Sequence, residues 1–183
     1  MPELFIIAGP NGAGKTTAAY SLLPEVFHTA EFVNADEIAR GLSPLNPEGV
    51  AFEAGRIMLS RINELVRKKE SFAFETTLSG LSYLKFLKAV KEKGYIVTLF
   101  FVYLESVELA KNRVAFRVSK GGHNIPEDVI ERRFPRGLSN FMTYAGRVDT
   151  WYIYDNSNTK FNLVASYING KQEVNELEVF KKF

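Results

Sequence analysis

Short apolar runs alternate along the chain with longer segments that have a helical period. The residues Ile, Val, Phe and Tyr dominate the apolar runs, which predicts strands at residues 4–9, 31–36, 71–77, 95–104, 150–155 and 161–168. The run YIVTLFFVYL at 95–104 has almost no polar alternation, which is typical of a strand covered on both faces. The last two runs flank NSNTK and predict a closing strand pair.

Helices are predicted between these strands. The pattern favours helices at 14–23, 83–94, 106–120, from Pro126 onward, and at 172–183. A long helix is predicted after SPLNP, with Asn46 as N-cap and Pro47 at its first position. Its apolar positions predict one buried stripe of Val50, Ala54, Ile57, Met58, Ile62, Leu65 and Val66. Strands alternating with helices predict an α/β fold of three layers around a mainly parallel sheet.

Composition narrows the class of protein. The length of 183 residues suits a single domain, and 46% apolar with 24% charged residues is ordinary for a soluble globular protein. The absence of cysteine excludes disulfides and thiolate metal sites. A net charge of +2 gives no bulk attraction to nucleic acid or membranes, and no signal peptide or membrane span is visible. We expect a cytoplasmic domain.

The stretch GPNGAGKTT follows the first predicted strand and opens the first predicted helix. It matches G-x-x-x-x-G-K-[ST], a phosphate-binding P-loop whose backbone N–H groups point at phosphate oxygens. Lys15 would reach the β and γ phosphates, and the Thr16 hydroxyl would bind Mg²⁺. The predicted ATP-binding residues are Gly9, Asn11, Gly12, Ala13, Gly14, Lys15, Thr16 and Thr17. The alternative is an ordinary glycine-rich turn.

Acidic residues follow the second and third predicted strands, at the sheet edge where α/β proteins bind ligands. Asp36 could accept the proton of a substrate hydroxyl, or Asp36 or Glu37 could cap the helix that follows. Glu75 ends an apolar strand and is predicted to hold Mg²⁺. Thr77 and Ser79 offer hydroxyls along the same rim, although a helix N-cap is an equal alternative for Ser79 or Ser82.

Basic residues cluster around a glycine-rich break at GGHNIP. Arg113 and Arg117 share one helix face, and Arg132, Arg133 and Arg136 follow the break. This pattern indicates a helical lid, approximately residues 113–137, whose arginines stabilise the transferred phosphoryl group. Arg117 with Arg132 or Arg133 are the predicted contacts. The alternatives are a solvated basic face or an RNA-binding patch, which the lack of an aromatic stacking motif disfavours.

Several motifs together resemble one known family. GPNGAGKTT, FVNADEIARGLSP, FAFETTLSG, RVAFRVSKGGHNIPEDVIERRF and YIYDNSN are similar to segments of the zeta-toxin-type P-loop kinases, across roughly residues 3–158. The segment GGHNIPEDVI is the most particular of these. The resemblance implies a three-layer P-loop NTPase fold with strand order 2-3-1-4-5 and a helical lid, in one kinase domain spanning 1–183.

The resemblance also implies a chemistry. Zeta toxins transfer phosphate from ATP, with Mg²⁺, to the 3′-hydroxyl of a UDP-N-acetylamino sugar, and an antitoxin protein blocks their ATP site. Their catalytic base corresponds to Asp36, and their Glu-x-Thr-x-Arg substrate segment to Glu75, Thr77 and Ser79, with serine replacing arginine. We therefore predict a kinase acting on a hydroxyl of a small molecule. Alternatives are a kinase for another small molecule or a nucleic-acid end, and a non-catalytic ATP-binding interaction module.

Overall fold

The fold was obtained as a computed structural model that describes residues 1–25, 29, 31–158 and 160–183, with only the backbone described for 22–25. The strands are β1 Glu3–Ala8, β2 Phe32–Val33, β3 Phe72–Thr76, β4 Ile96–Tyr103, β5 Thr150–Asp155, β6 Asn162–Ile168 and β7 Lys171–Val174. The helices are α1 Lys15–Glu25, α2 Ala35–Leu42, α3 Ala51–Lys68, α4 Tyr83–Glu92, α5 Val107–Ser119, α6 Glu127–Ala145 and α7 Leu177–Phe180.

Within the described residues the strands form one sheet in the order β2-β3-β1-β4-β5-β6-β7. The first five strands in this order are parallel, whereas β6 and β7 add antiparallel pairs at one edge. This confirms the predicted α/β class, the mainly parallel sheet and the strand order 2-3-1-4-5. It also brings the carboxyl ends of β1, β2 and β3 to the same edge.

The central strands are buried on both faces, as their apolar sequences predict. In β1, Leu4 and Ile6 pack into the core under α3 and α4, whereas Phe5 and Ile7 pack into the core under α1 and α5. Alternation with a period of two sends successive side chains to opposite faces, so a continuously apolar strand serves two cores at once.

Helix α6 connects the two layers at the carboxyl edge of the sheet. Its first half contributes Ile130 to the core on the α5 side, and its second half contributes Phe141 to the opposite core. Gly137, between them, lies so close to the loop after β3 that an added Cβ would sit 2.5 Å from the Thr77 carbonyl oxygen. The absence of a side chain therefore lets α6 pass directly over this loop.

One predicted element, one helix start and two residues of the predicted buried stripe differ from the structure. The segment at 172–183 is not one helix, because β7 comes first and only Leu177–Phe180 is helical. The long helix starts at Ala51, after a 3₁₀ turn at Glu48–Val50 in which Asn46 Oδ1 accepts from the Gly49 N–H. Its buried stripe excludes Ile57, which is 39% exposed, and Val50, which is half-buried. Among the described residues, no helix has the length and apolar character to cross a membrane.

Candidate active site

The loop between β1 and α1 has the backbone that its glycines predict. Gly9 has a φ of 140°, and a Cβ there would lie 2.2 Å from the Val102 carbonyl oxygen. Gly12 has a φ of 76°, and a Cβ there would lie 2.7 Å from the Ala110 carbonyl oxygen of α5. Asn11 is 7% exposed, and its buried Oδ1 has no hydrogen-bond partner in the described part of the chain. A buried polar atom without a partner fits a loop that a ligand completes.

Lys15 and Thr16 are held by Glu75 at the start of α1. The Lys15 ammonium donates to the Pro10 carbonyl at 3.0 Å and lies 3.4 Å from Glu75 Oε1. The Thr16 hydroxyl donates to Glu75 Oε2 at 2.6 Å, and the Asn34 amide donates to the same oxygen at 2.9 Å. One carboxylate thus connects the ends of β1, β2 and β3.

Asn34 also fixes the position of Asp36. Its Oδ1 accepts from the backbone N–H groups of Asp36 and Glu37, at 2.8 and 3.3 Å, and caps α2. Neither Asp36 nor Glu37 is the cap, so the alternative role considered from sequence is wrong. The Asp36 carboxylate is left available in the first turn of α2, where the helix dipole stabilises a negative charge.

A cavity of about 290 Å³, called the P-loop cavity below, brings the predicted chemistry together. It is lined by Gly12, Gly14, Lys15, Thr16, Thr17, Asp36, Glu37, Arg40, Glu75, Arg113, Arg117, Gly122 and His123. Lys15 and Asp36 therefore face a common space, with a basic helix and its glycine-rich hinge on the opposite wall.

A second cavity of about 700 Å³, called the outer cavity, shares Glu37, Arg40, Gly122 and His123 with the first. The rest of its wall comes from the end of α2, from the segment between α2 and α3, and from the hinge between α5 and α6. These residues are Gly41, Pro44, Leu45, Asn46, Pro47, Glu48, Gly121 and Asn124. Because the two cavities share four lining residues, they lie next to each other.

The hinge between α5 and α6 is organised by Arg117. Its guanidinium donates twice to the His123 carbonyl, at 3.1 and 2.7 Å, and Gly122 leaves room for the aliphatic part of this side chain. Lys111 on α5 pairs with Glu131 and Glu127 on α6, and hydrogen bonds to these two carboxylates raise the pKa of Lys111. Lys111 therefore ties α5 to α6, and Arg117 ties α5 to the hinge between them.

A third cavity of about 290 Å³ lies against the other side of the loop. It is lined by Gly14, Thr17, Ala18, Ser21, Asn156 and Phe161. Asn156 Nδ2 donates to the Ala13 carbonyl at 2.8 Å, which attaches the loop after β5 to the P-loop. Phe161 stacks on Tyr154 with ring centroids 5.2 Å apart, so an aromatic surface borders this cavity.

Six predicted site residues line neither the P-loop cavity nor the outer cavity: Gly9, Asn11, Ala13, Thr77, Ser79 and Arg132. The Thr77 and Ser79 hydroxyls are hydrogen-bonded to each other at 2.9 Å, and neither lines these cavities. Arg132 is 53% exposed and lies 4.0 Å from Asp128 on its own helix. Arg113 lines the P-loop cavity in the place predicted for Arg132, and donates to the Ser157 carbonyl at 3.1 Å.

The loop that carries Thr77 and Ser79 is nevertheless tightly fixed. Leu78 between them is buried with a φ of 53°, and Asn140 on α6 donates to its carbonyl oxygen at 2.8 Å. Tyr144 donates to the Gly80 carbonyl at 2.6 Å, and burial raises the pKa of this phenol. A left-handed conformation at a leucine is sustained only where the surroundings determine it, as α6 does here.

Sequence reasoning missed Asn34, Arg40 and Asn156. Asn34 carried a usable signal, because asparagine between a strand and a helix is a favoured N-cap. Arg40 lies one turn after Asp36, so it shares a helix face with that acid, but a pattern alone does not tell which face meets the cavity. Asn156 is separated from its partner Ala13 by 143 residues, and nothing local marks such a contact.

Comparison with known proteins identifies a family model described as zeta toxin, which matches residues 1–163. This family match therefore includes the P-loop, both acids and the hinge. An uncharacterised protein of Haemophilus influenzae is 32% identical over 126 residues, which are 69% of this chain and 88% of that protein.

Among solved structures, the complex of AvrRxo1-ORF1 with AvrRxo1-ORF2 and sulphate ions has a TM-score of 0.82 at 20% identity. The alignment covers 100% of this chain, which spans only 63% of the matched chain, and the same complex has also been solved with ATP. The PezAT toxin-antitoxin system of Streptococcus pneumoniae matches with a TM-score of 0.66 at 18% identity, over 91% of this chain and 72% of that one. These structures share the P-loop kinase fold.

Proposed function

The chain belongs to the zeta toxin family, and from this premise we propose that it is an ATP-dependent kinase that transfers the γ-phosphate to a hydroxyl of a small molecule. One observation supports the proposal above all others. The ammonium-bearing Lys15 and the carboxylate-bearing Asp36 line the same cavity of about 290 Å³. A phosphate donor and an acceptor hydroxyl can therefore meet in a space that has both a cation and a base.

The P-loop and the lid would bind the triphosphate. The N–H groups at the start of α1 and the positive end of its dipole favour phosphate binding. The Lys15 ammonium would leave its ion pair with Glu75 and bind phosphate oxygens instead. Among the described residues, Arg113 and Arg117 donate only to backbone carbonyls, so their charges are available to a polyanion. We propose that residues 113–137 act as a lid and that 1–183 is one kinase domain. The cavity at Asn156 and Phe161 would take the nucleoside.

Thr16 and Glu75 would hold Mg²⁺. Mg²⁺ prefers oxygen ligands and is usually bound through one or two protein oxygens together with substrate phosphates. The Thr16 hydroxyl and the Glu75 carboxylate supply two such oxygens at the P-loop, and their 2.6 Å hydrogen bond shows that they meet at one point. When bound, the metal ion would neutralise charge on the β and γ phosphates.

Asp36 would act as the general base. Its carboxylate accepts the proton of the acceptor hydroxyl as that oxygen forms a bond to the γ phosphorus, while the bond from phosphorus to the β–γ bridging oxygen breaks and ADP leaves. Arg117 and Lys15 stabilise the charge on the transferred group. Closure of the lid would exclude water, which favours transfer over hydrolysis.

Replacement of Asp36 by asparagine tests this role. We expect kcat for phosphate transfer to fall by about 10²-fold or more, since a positioned general base contributes on that scale. ATP affinity should stay unchanged, whereas Lys15→Ala should lose it. Glu53→Gln is the control, because Glu53 is exposed, lines neither cavity and lies outside residues 113–137. Undiminished transfer by Asp36→Asn would contradict the proposal.

Two other functions remain to be separated from this one. A non-catalytic ATP-binding module would keep its biological effect in the Asp36→Asn variant. A kinase for a UDP-N-acetylamino sugar, the acceptor implied by the family, differs from one for another small molecule or a nucleic-acid end only in its acceptor. A screen of hydroxylated metabolites, nucleotide sugars and oligonucleotides for ATP-dependent gain of mass distinguishes them.

An antitoxin is the partner that we propose. The AvrRxo1-ORF1:AvrRxo1-ORF2 structures are of complexes, and PezAT is described as a toxin-antitoxin system. A small protein encoded beside this chain would be the first candidate. Its co-expression should yield a complex that no longer binds ATP, and a complex with full ATP affinity would contradict this mode of inhibition.

A further inference from the structure

His123 lies in the hinge between α5 and α6 and lines both the P-loop cavity and the outer cavity. Its backbone is fixed from two sides. The His123 carbonyl accepts two hydrogen bonds from the Arg117 guanidinium, at 3.1 and 2.7 Å, and Ile125, two residues later, is buried in the core on the α5 side. The half-buried imidazole of His123 therefore has a defined position in the wall of both cavities.

The two nitrogens of this imidazole have different surroundings. Nδ1 of His123 is buried and has no hydrogen-bond partner in the part of the chain that the structure describes. A neutral imidazole carries its proton on one nitrogen, and the other nitrogen is an acceptor. A buried N–H group without an acceptor is rarer in proteins than a buried acceptor without a donor, so the proton belongs on Nε2. His123 therefore presents an Nε2–H donor to the cavities that it lines.

The P-loop cavity lies between the outer cavity and the third cavity, which we propose for the nucleoside. The third cavity shares Gly14 and Thr17 with the P-loop cavity. The outer cavity shares four other residues with the P-loop cavity, among them His123, and it shares no described residue with the third cavity. His123 is therefore at the end of the P-loop cavity that is remote from the nucleoside. A bound triphosphate would have its γ-phosphate at this end.

The charges of the P-loop cavity suit a polyanion. Its described lining has four cationic side chains and three carboxylates, namely Lys15, Arg40, Arg113 and Arg117 with Asp36, Glu37 and Glu75. The neutral Nε2–H of His123 adds a donor for a phosphate oxygen without adding charge. A donor at the γ-phosphate position contributes to binding only when that phosphate is present, so its effect should differ between ATP and ADP.

We propose that His123 makes the chain distinguish ATP from ADP, with its Nε2–H donating to an oxygen of the γ-phosphate. This inference rests on the proposed ATP site and adds a contact to it. The carbonyl of the same residue holds the Arg117 guanidinium. A γ-phosphate bound by the His123 ring would therefore also stabilise the hinge in the position that keeps Arg117 in the wall of the P-loop cavity.

Affinities of the full chain for AMP-PNP and for ADP, each with Mg²⁺ and measured by titration calorimetry, test this proposal. His123→Phe keeps an aromatic ring and the backbone carbonyl that holds Arg117, but it removes the N–H donor. We expect this variant to bind AMP-PNP about tenfold more weakly, the size expected for one hydrogen bond to a charged group, and to bind ADP as the unaltered chain does. His123→Gln supplies an amide N–H donor and should recover most of the affinity for AMP-PNP.

Nitrogen NMR of the imidazole gives a second readout that does not depend on affinity. The chain has two histidines, His28 and His123, so His123→Phe identifies the signals of His123 by their loss. We expect the free chain to carry the proton on Nε2. Addition of AMP-PNP with Mg²⁺ should shift the Nε2 signal, whereas addition of ADP with Mg²⁺ should leave it in place. Glu53→Gln, which lies outside all three cavities, is the control and should behave as the unaltered chain.

Four results would overturn the proposal. They are an equal loss of AMP-PNP and ADP affinity in His123→Phe, no loss of either, no recovery in His123→Gln, and a proton on Nδ1 in the free chain. An equal loss for both nucleotides would mean that the ring only supports the structure of the hinge.

These results are distinguishable from a failure of the kinase proposal. A selective loss of AMP-PNP affinity in His123→Phe, when the unaltered chain transfers phosphate to no acceptor, would support the γ-phosphate contact and contradict the kinase. Phosphate transfer by the unaltered chain, with the same ratio of AMP-PNP to ADP affinity in His123→Phe, would support the kinase and overturn the contact.

Discussion

Glu75 is the residue on which the geometry of the candidate site depends. Its carboxylate contacts Lys15 and Thr16, which follow β1, and Asn34, which follows β2, while Glu75 itself lies in β3. It is also 12% exposed, so its charge is stabilised by these donors rather than by water. The same group thus keeps the P-loop lysine in place, and it would present an oxygen to the Mg²⁺ that we propose.

At Gly9 the backbone conformation and the nearby backbone of β4 exclude any residue that has a Cβ. Gly9→Ala would place a methyl group 2.2 Å from the Val102 carbonyl oxygen at a φ of 140°. We expect a loss of about 1–3 kcal/mol in the free energy of unfolding, measured by urea denaturation, together with weaker ATP binding.

Gly55→Ala provides the control for Gly9. Gly55 lies within α3, and nothing is within 4 Å of its added Cβ, so the substitution should stabilise the chain by about 0.5–1 kcal/mol. Equal changes in the free energy of unfolding for the two substitutions would contradict this prediction, because the close contact with the Val102 carbonyl oxygen would then not affect stability.

The site residues that could be predicted from sequence are those with a local pattern. The P-loop is a contiguous motif, and Asp36 and Glu75 follow apolar strands whose carboxyl ends must meet in a parallel sheet. The pattern identifies Arg113 only as part of a basic helix face, and it favours Arg132 for the site. The predicted lid consists of two helices, and their packing decides how each is rotated towards the cavity. The spacing of residues along a helix shows which of them share a face, but not which face meets the cavity.

At the scale of elements, Arg113 and Arg117 of α5 line the P-loop cavity together with Arg40 of α2, whereas the arginines of α6 do not line it. Arg117→Ala should lower kcat/KM for ATP by about 10²-fold, the scale of one transition-state donor. Arg132→Ala should have little effect, because this side chain is exposed and lies beside Asp128. Steady-state kinetics of both variants measure this directly. An equal loss in Arg132→Ala would mean that α6 turns towards the nucleotide during the reaction.

The strands that are buried on both faces could be predicted from sequence, whereas the exposed strand β7 could not. The strands of the parallel sheet are apolar on both faces, so their sequences identify them. By contrast β7 is exposed along its whole length, and its residues KQEV have no apolar alternation that would distinguish a strand. Its strand conformation depends on pairing with β6, a contact between segments that a local pattern does not reveal.

For the whole molecule, nucleotide binding should raise stability. A ligand that binds only the folded chain adds about 2.7 kcal/mol to the free energy of unfolding at one hundred times its Kd. For a domain of this size, each kcal/mol of added stability raises the Tm by about 2–4 °C. Mg²⁺ with ATP should therefore raise the Tm of the chain by several degrees in a thermal melt.

The Lys15→Ala variant is the reference for this melt. It should show no rise in Tm with Mg²⁺ and ATP, because the lysine supplies the main cationic contact of the P-loop. A rise of equal size in both proteins would place the nucleotide elsewhere on the molecule.

The ion pair between Lys15 and Glu75 should determine whether the chain binds free ATP or the complex of ATP with Mg²⁺. When a phosphate of the nucleotide pairs with the Lys15 ammonium, the Glu75 carboxylate loses this partner and lies close to a polyanion. A divalent ion that binds together with the nucleotide would offset the resulting repulsion between the Glu75 carboxylate and the phosphates. The chain should accordingly discriminate against uncomplexed ATP, with an affinity in EDTA far below that in excess magnesium. Glu75→Gln should reduce the difference between the ATP affinities in EDTA and in excess magnesium. The Glu75 carboxylate would thus make the site selective for ATP that is complexed with Mg²⁺.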